Sequence, residues 1–129
     1  MSNAKIQMPN EVQSLNAKPV YDLEERTATF GEEVIGFAKN LPNTAINKSL
    51  VSQIVRSATS IGANYMEADG AESKKDFKHK IALCKKESKE TRHWLRMIAK
   101  ANPDKAHECR KLWQEVQELT LIFSSILRK

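Results

Sequence analysis

The sequence predicts an all-α protein that folds as an antiparallel up-down four-helix bundle. Apolar residues recur at three- and four-residue steps in four separate segments, which is the period of a helix that buries one face. Short polar turns separate these segments, and no stretch of useful length alternates apolar and polar residues as a strand would. A chain of 129 residues, 40% of them hydrophobic, suits one domain with one core.

The N-terminal segment differs from the rest of the chain. Residues 1–20 are mostly polar, include Pro9 and Pro19, and lack a clear hydrophobic period. We therefore predict a flexible N-terminal arm over residues 1–20 and a four-helix bundle domain over residues 21–129.

Turn-forming residues delimit the first two helices. The first spans about Asp22–Asn40, with Asp22 as its N-cap, and Pro42 follows its end. Its inward positions are predicted to be Leu23, Thr27, Phe30, Val34, Phe37 and Leu41. The second helix spans about Ala45–Ala68. Its inner face is predicted to consist of Leu50, Ile54, Ala58, Ile61 and Tyr65.

A capping box opens the third helix. Ser73 and Asp76 have the S-x-x-[DE] spacing that satisfies free backbone N–H groups, so we predict a helix over about Lys74–Ala101. Its core stripe is Phe77, Ile81, Cys84, Ser88, Thr91, Leu95 and Ile98. Asn102 can stop this helix and Pro103 can start the fourth, which continues to the C-terminus. The predicted inner face of the fourth helix is Ala106, Cys109, Trp113, Val116, Leu119 or Thr120, Phe123 and Ile126.

Charge is unevenly distributed along the chain. The net charge is +5, but residues 1–72 carry six Lys/Arg against nine Asp/Glu, whereas residues 73–129 carry fifteen against seven. The two halves therefore carry −3 and +8. A cationic half favours anionic partners such as nucleic acid or an acidic protein, and simple solubility is the alternative.

The third helix concentrates this charge on one flank. At 100° per residue, six cations fall on one side of the core stripe and form a row about 33 Å long at 1.5 Å per residue. We call this row the basic strip: Lys74, Lys78, Lys85, Lys89, Arg92 and Arg96. The acidic residues of the helix fall on the opposite flank. Like charges four residues apart destabilise a helix, so the sorting favours an anion-binding surface over a merely hydrated one.

The acidic flank also carries the aromatic and apolar side chains that the basic strip lacks. Trp94 and Leu83 lie there, so we expect the strip to contact phosphates with little sequence specificity. Such flanking apolar residues exceed what one bundle face needs, which predicts that Leu83 and Trp94 take part in self-association.

A row of polar side chains follows the second helix. We call Ser60, Asn64 and Glu67 the polar row, which Gln53 and Ser57 extend upstream. We favour a hydrogen-bonded contact between helices or subunits over a catalytic site. Gly62 lies within the same stretch, where glycine weakens a helix. We expect close approach of another backbone to require it.

Catalytic and metal-binding signatures are weak or missing. The three histidines are too far apart to pair on one helix, and no phosphate loop or nucleophile motif occurs. We therefore predict a non-enzymatic protein with no metal and no cofactor. Cys84 and Cys109 fall on apolar helix positions, which indicates reduced core residues of a cytoplasmic protein. No apolar run is long enough to span a membrane.

Several stretches together resemble the bacterial four-helix bundle family, also called 23S rRNA intervening-sequence proteins. The stretches are S-I-G-A-N-Y-M-E-A at 60–68, S-K-K-D-F at 73–77, I-A-L at 81–83 and K-E-S-K-E-T-R-H-W-L at 86–95. Some members are encoded inside an insertion in the large-subunit rRNA gene. The resemblance implies an antiparallel four-helix bundle that assembles as a ring-like homopentamer. It also implies kinship with the accessory proteins of diversity-generating retroelements, which bind nucleic acid and a reverse transcriptase.

Two functions follow as hypotheses. The first is a non-enzymatic, oligomeric module that binds RNA or DNA through the basic strip, with RNA favoured. The alternative is a homo-oligomeric scaffold for protein partners, among them a reverse transcriptase or a ribosomal component, with the polar row holding the subunits together.

Overall fold

The structure is a computed structural model that describes residues 22–129, and this part of the chain is helical throughout apart from short turns. The helices are α1 (Leu23–Lys39), α2 (Ala45–Asp69), α3 (Lys74–Ala101) and α4 (Ala106–Leu127), with a 3-10 turn at Pro103–Lys105 before α4. Consecutive helices pack along their lengths, and α4 returns beside α1 in a looser contact. The predicted four-helix bundle is therefore confirmed. The predicted arm over residues 1–20 lies outside the described residues.

Side-chain caps fix where three of the helices begin. The Asp22 carboxylate accepts a hydrogen bond from the Glu25 backbone N–H at 3.2 Å. Thr44 caps α2 in the same way, and the Ser73 hydroxyl accepts from the Asp76 N–H at 3.0 Å. Each cap satisfies one of the N–H groups that a helix start leaves without a partner. The caps predicted at Asp22 and Ser73 are confirmed.

The core lies between the four inward stripes. Most of the predicted positions of α1, α2 and α3 are buried or packed against the buried cluster. The largest fully buried side chains are Phe30, Phe123, Ile54, Ile61, Ile81, Leu95, Ile98 and Leu119. Both cysteines are buried and free, as predicted. Burial raises the pKa of the Cys84 thiol to about 12 and that of Cys109 to about 11.

One core assignment on α4 was wrong. Trp113 was predicted to point inward, but it is 38% exposed, and its neighbour Leu112 is buried instead. On an ideal helix, Trp113 lies about 60° from the centre of the stripe formed by Cys109, Val116 and Phe123, whereas Leu112 lies about 40° from it on the other side. The large indole therefore falls at the edge of the buried stripe, on the side of α4 that faces α3.

Close packing of α1 against α2 explains the mid-helix glycine. A Cβ atom at position 62 would lie 3.4 Å from Thr27 Oγ1 and 3.6 Å from the Thr27 carbonyl carbon and oxygen. The expected approach of another backbone at Gly62 is thus confirmed, and the neighbour is α1.

Among the helices of residues 22–129, none combines the length and apolar character needed to cross a membrane.

A pair of buried asparagines joins the start of α2 to the end of α3. Asn47 Nδ2 donates to Asn102 Oδ1 at 2.9 Å, and Asn102 Nδ2 donates to Asn47 Oδ1 at 2.8 Å. The second N–H of each amide reaches a backbone carbonyl, of Pro42 and of Ile98 respectively. Asn102 therefore stops α3, as predicted, and also ties it to α2.

Candidate nucleic-acid interface

The two flanks of α3 face different helices and differ in charge. On the flank beside α2, the Arg56 guanidinium bonds Glu87 at 3.3 Å and also bonds Glu90. Lower on the same side, Lys80 Nζ lies 2.7 Å from Glu67 Oε1 of α2. Two of the three acidic residues of α3, Glu87 and Glu90, thus share one cation of α2, and Lys80 of α3 pairs with an acid of α2.

Partial burial also acts on Glu87. Desolvation raises the pKa of the Glu87 carboxyl, and the positive charge of Arg56 opposes that rise. The hydrogen bond that Arg56 donates to the Glu90 carboxylate raises the pKa of Arg56, so this guanidinium stays charged. Arg56 therefore offsets one of the two carboxylate charges of Glu87 and Glu90 in this surface ion-pair network.

The basic strip lies on the other flank, beside α4. Three of its members are exposed: Lys74, Lys89 and Arg96. The other three are half-buried: Lys78, Lys85 and Arg92. Within residues 22–129, the salt bridges involve Arg26, Arg56, Lys80 and Lys105, and none involves a member of the strip. The six positive charges therefore have no acidic partner in the part of the chain that the structure describes.

A small surface depression lies in the middle of the strip. It has a volume of about 260 Å³ and is lined by Ala82, Lys85, Lys86 and Lys89. The short alanine side chain leaves space between three ammonium groups, which suits an anionic oxygen cluster such as a phosphate.

The neighbouring helix keeps its own acids away from this flank. Glu115 and Glu118 of α4 bond Arg26 of α1 at 2.8 Å and 2.7 Å. These hydrogen bonds raise the pKa of the Arg26 guanidinium above its ordinary value. Glu115 and Glu118 of α4 are thus held toward α1 rather than toward the seam between α3 and α4.

The seam also contains an aromatic residue that the sequence interpretation did not place there. The basic strip itself has no aromatic member, as predicted, but the exposed indole of Trp113 projects from α4 beside it. The Arg92 Cζ atom lies 5.8 Å from the centroid of the Trp113 ring, and Arg92 Nη1 donates to Gln117 Oε1. The sequence did contain a signal for this contact. Plotted at 100° per residue, Trp113 and Gln117 fall on one side of α4, and the short turn between α3 and α4 brings that side against Arg92.

The polar row makes most of its hydrogen bonds within α2 rather than to another helix. Ser60 Oγ donates to the Arg56 carbonyl at 2.7 Å and Asn64 Nδ2 donates to the Ser60 carbonyl at 2.9 Å, both within α2. Glu67 alone reaches another helix, through Lys80. Upstream of the row, Thr91 Oγ1 of α3 donates a buried hydrogen bond to Ser57 Oγ of α2, at 2.8 Å, so Ser57, which was expected to extend the row, does join the two helices.

The two predicted apolar interface residues are half-buried on the α2 side of α3. Leu83 and Trp94 are both partly exposed, and Trp94 packs against the core cluster. The Trp94 indole Nε1 is buried and has no hydrogen-bond partner among the described residues. Elsewhere on the surface, Met66 and Leu121 are 64% and 58% exposed.

Another concave site lies between α1 and α4. This cavity has a volume of about 400 Å³ and is lined by Glu33, Phe37, Asn40, Lys105, Glu108, Lys111 and Leu112. Its two acidic and two basic side chains oppose each other, so it does not extend the cationic surface. Within residues 22–129, no three His, Cys, Asp or Glu side chains come together in an arrangement that could hold a metal ion.

Fold and charge together define a basic four-helix bundle protein whose third helix carries sorted charge. Residues 21–125 match the family described as 23S rRNA-intervening sequence protein, and the chain belongs to this family. The predicted family resemblance is therefore confirmed. A search of curated proteins finds no match.

A solved structure is similar to the whole bundle. It is the crystal structure of a protein with unknown function from the S23 ribosomal protein family of Bacteroides thetaiotaomicron. The two chains share 28% sequence identity with a TM-score of 0.76, over 83% of this chain and 99% of that one.

Proposed function

We propose that the protein is a non-enzymatic, oligomeric nucleic-acid-binding module that contacts RNA phosphates through the basic strip. One observation carries this proposal. Two of the three acids of α3 pair with Arg56 of α2, whereas the six cations of the strip have no acidic partner among the described residues. A row of unpaired cations about 33 Å long matches the extended row of phosphates in a nucleic-acid backbone better than it matches a small anion.

The chemistry of the strip sets its mode of binding. Lys and Arg that contact phosphates release counterions, so the affinity depends steeply on salt and little on sequence. Arg92 and Arg96 can each offer two parallel N–H donors to a phosphate, while the lysines act as point charges. The strip thus supplies affinity and orientation rather than base readout.

Assembly is the second part of the proposal, and the family resemblance favours a ring-like homopentamer. The orphaned Nε1 of Trp94 supports a subunit contact, since a buried N–H without an acceptor is costly. The exposed apolar side chains of Met66 and Leu121 support it as well. Repetition of the strip around a ring would turn weak sites into high avidity.

A salt titration tests the proposal. Fluorescence anisotropy with a labelled RNA hairpin should give a log K against log salt slope of roughly −0.7 to −0.9 for each phosphate neutralised. The double variant Lys85→Gln/Lys89→Gln should reduce that slope by roughly 1–2 units per engaged strip. The matched control is Lys39→Gln/Lys48→Gln, which removes the same charge from exposed sites on α1 and α2.

The control isolates position from net charge. We expect the control variant to keep nearly the wild-type slope, with all three proteins showing the same mass by light scattering. Equal slopes for the two double variants, or no RNA binding at low salt, would contradict the proposal. The homo-oligomeric scaffold for a protein partner, such as a reverse transcriptase or a ribosomal component, would then be favoured by the apolar surface around Trp94.

A further inference from the structure

We propose that Trp113 is a base-stacking residue and that the seam between α3 and α4 binds single-stranded rather than duplex nucleic acid. This inference rests on the proposed function and names its substrate class. The observation behind it is the juxtaposition of an indole, 38% exposed, with the guanidinium of Arg92 in the basic strip.

The position of Trp113 makes its exposure informative. Leu112 and Val116 fill the core positions on either side of it, so α4 does not need the indole for its buried stripe. Contact with Arg92, which also bonds Gln117, holds the guanidinium beside the ring. The result is an ordered aromatic side chain with a cation next to it and part of its surface in solvent.

Single-stranded binding sites combine these same two elements. A positively charged groove tracks the backbone, and aromatic rings stack with bases in a way that tolerates any sequence. Arg96 follows Arg92 by one helical turn, a rise of about 6 Å, so phosphates can lie along α3 while one base turns toward Trp113. In a duplex the base faces are already stacked on each other, and the ring has nothing to stack on except at an end.

The cationic surface continues on α4 past the indole. Arg110 is exposed and lies three residues before Trp113, hence on the same side of the helix. Within residues 22–129 it takes part in no salt bridge. Positive charge from both helices thus flanks Trp113, so phosphates on both sides of a stacked base can find a cation.

Tryptophan fluorescence reports directly on this contact. The chain has only two tryptophans, so Trp113→Phe removes one signal while it keeps an aromatic ring, and Trp94→Phe leaves Trp113 as the only emitter. We expect a 20-nucleotide oligo(U) to quench the wild type and Trp94→Phe, and to quench Trp113→Phe far less. A 20-base-pair RNA duplex should quench none of them by this route.

Affinity gives a second, independent measurement. Trp113→Ala should weaken oligo(U) binding by roughly 5- to 150-fold, the effect of losing one stacked base, while Trp113→Phe keeps most of the affinity. Duplex affinity should be unchanged in both variants. Circular dichroism and light scattering show whether each variant keeps its fold and its mass.

The outcomes separate this inference from the proposed function. Equal binding of oligo(U) and duplex with no quenching that depends on Trp113 would overturn the stacking role and leave the phosphate-binding function in place. No binding of either nucleic acid would overturn both. A lower mass for Trp113→Ala with unchanged oligo(U) affinity would show that a second copy of this chain covers the indole, and would also overturn the inference.

Discussion

Replacing Asn102 with alanine should destabilise the bundle by about 2–4 kcal/mol. Asn47 and Asn102 are only 4% and 5% exposed, and their side-chain amides exchange two hydrogen bonds. Truncation of Asn102 leaves the Asn47 carbonyl oxygen without a donor and one of its amide N–H groups without an acceptor. Each unsatisfied buried group costs about 1–3 kcal/mol, and partial access of water at the helix ends lowers the sum.

The assay is urea unfolding followed by circular dichroism, with the melting temperature expected to fall by roughly 10 °C. Asn43→Ala is the matched control, because Asn43 is exposed in the nearby turn. The double variant Asn47→Ala/Asn102→Ala should cost less than the sum of the single variants, since it removes the groups that each single variant orphans. A loss below about 0.5 kcal/mol for Asn102→Ala, or strictly additive costs, would refute the pairing as the source of stability.

Two further predictions concern assembly and pH. Leu83→Asp or Trp94→Asp should lower the mass measured by light scattering. Asn64→Leu should also lower it without unfolding the chain, since Asn64 bonds only its own helix. A wild type that is monomeric at micromolar concentration would contradict both expectations. Burial raises the pKa of the thiols of Cys84 and Cys109 to about 12 and 11, so ionisation of the unfolded chain should reduce the free energy of unfolding as pH rises above about 9. The loss should approach 1.4 kcal/mol per pH unit for each thiol, and a Cys84→Ala/Cys109→Ala variant with the same pH dependence would exclude the thiols as its cause.

The helices and most of the core could be predicted from the sequence because their determinants are local. A capping residue and a hydrophobic period are set within one or two turns, and they placed the start of α3 at Lys74 and its end at Ala101. The same reasoning placed the six cations on one flank. The charge of a flank depends only on spacing along a single helix.

The contacts that could not be predicted depend on which residues of a neighbouring helix lie opposite a given position. The pairing of Arg56 with Glu87 and Glu90 requires the register of α2 against α3, which no local pattern sets. The position of Trp113 was misassigned because a residue at the edge of a helical stripe can be counted on either side of it. An angular difference of about 100° between adjacent residues decided between Leu112 and Trp113.

The charge arrangement of α3 costs helix stability, and this cost bears on function. The strip contains like-charged pairs four residues apart at Lys74–Lys78, Lys85–Lys89 and Arg92–Arg96, each destabilising by about 0.2–0.5 kcal/mol. Interleaving the acids of α3 with these cations would have removed the cost and kept the protein soluble. Instead Glu87 and Glu90 face Arg56 of α2, where exposed ion pairs contribute little stability. Sorting of this kind gains nothing for the isolated bundle, whereas a polyanion bound along α3 would relieve the repulsion directly.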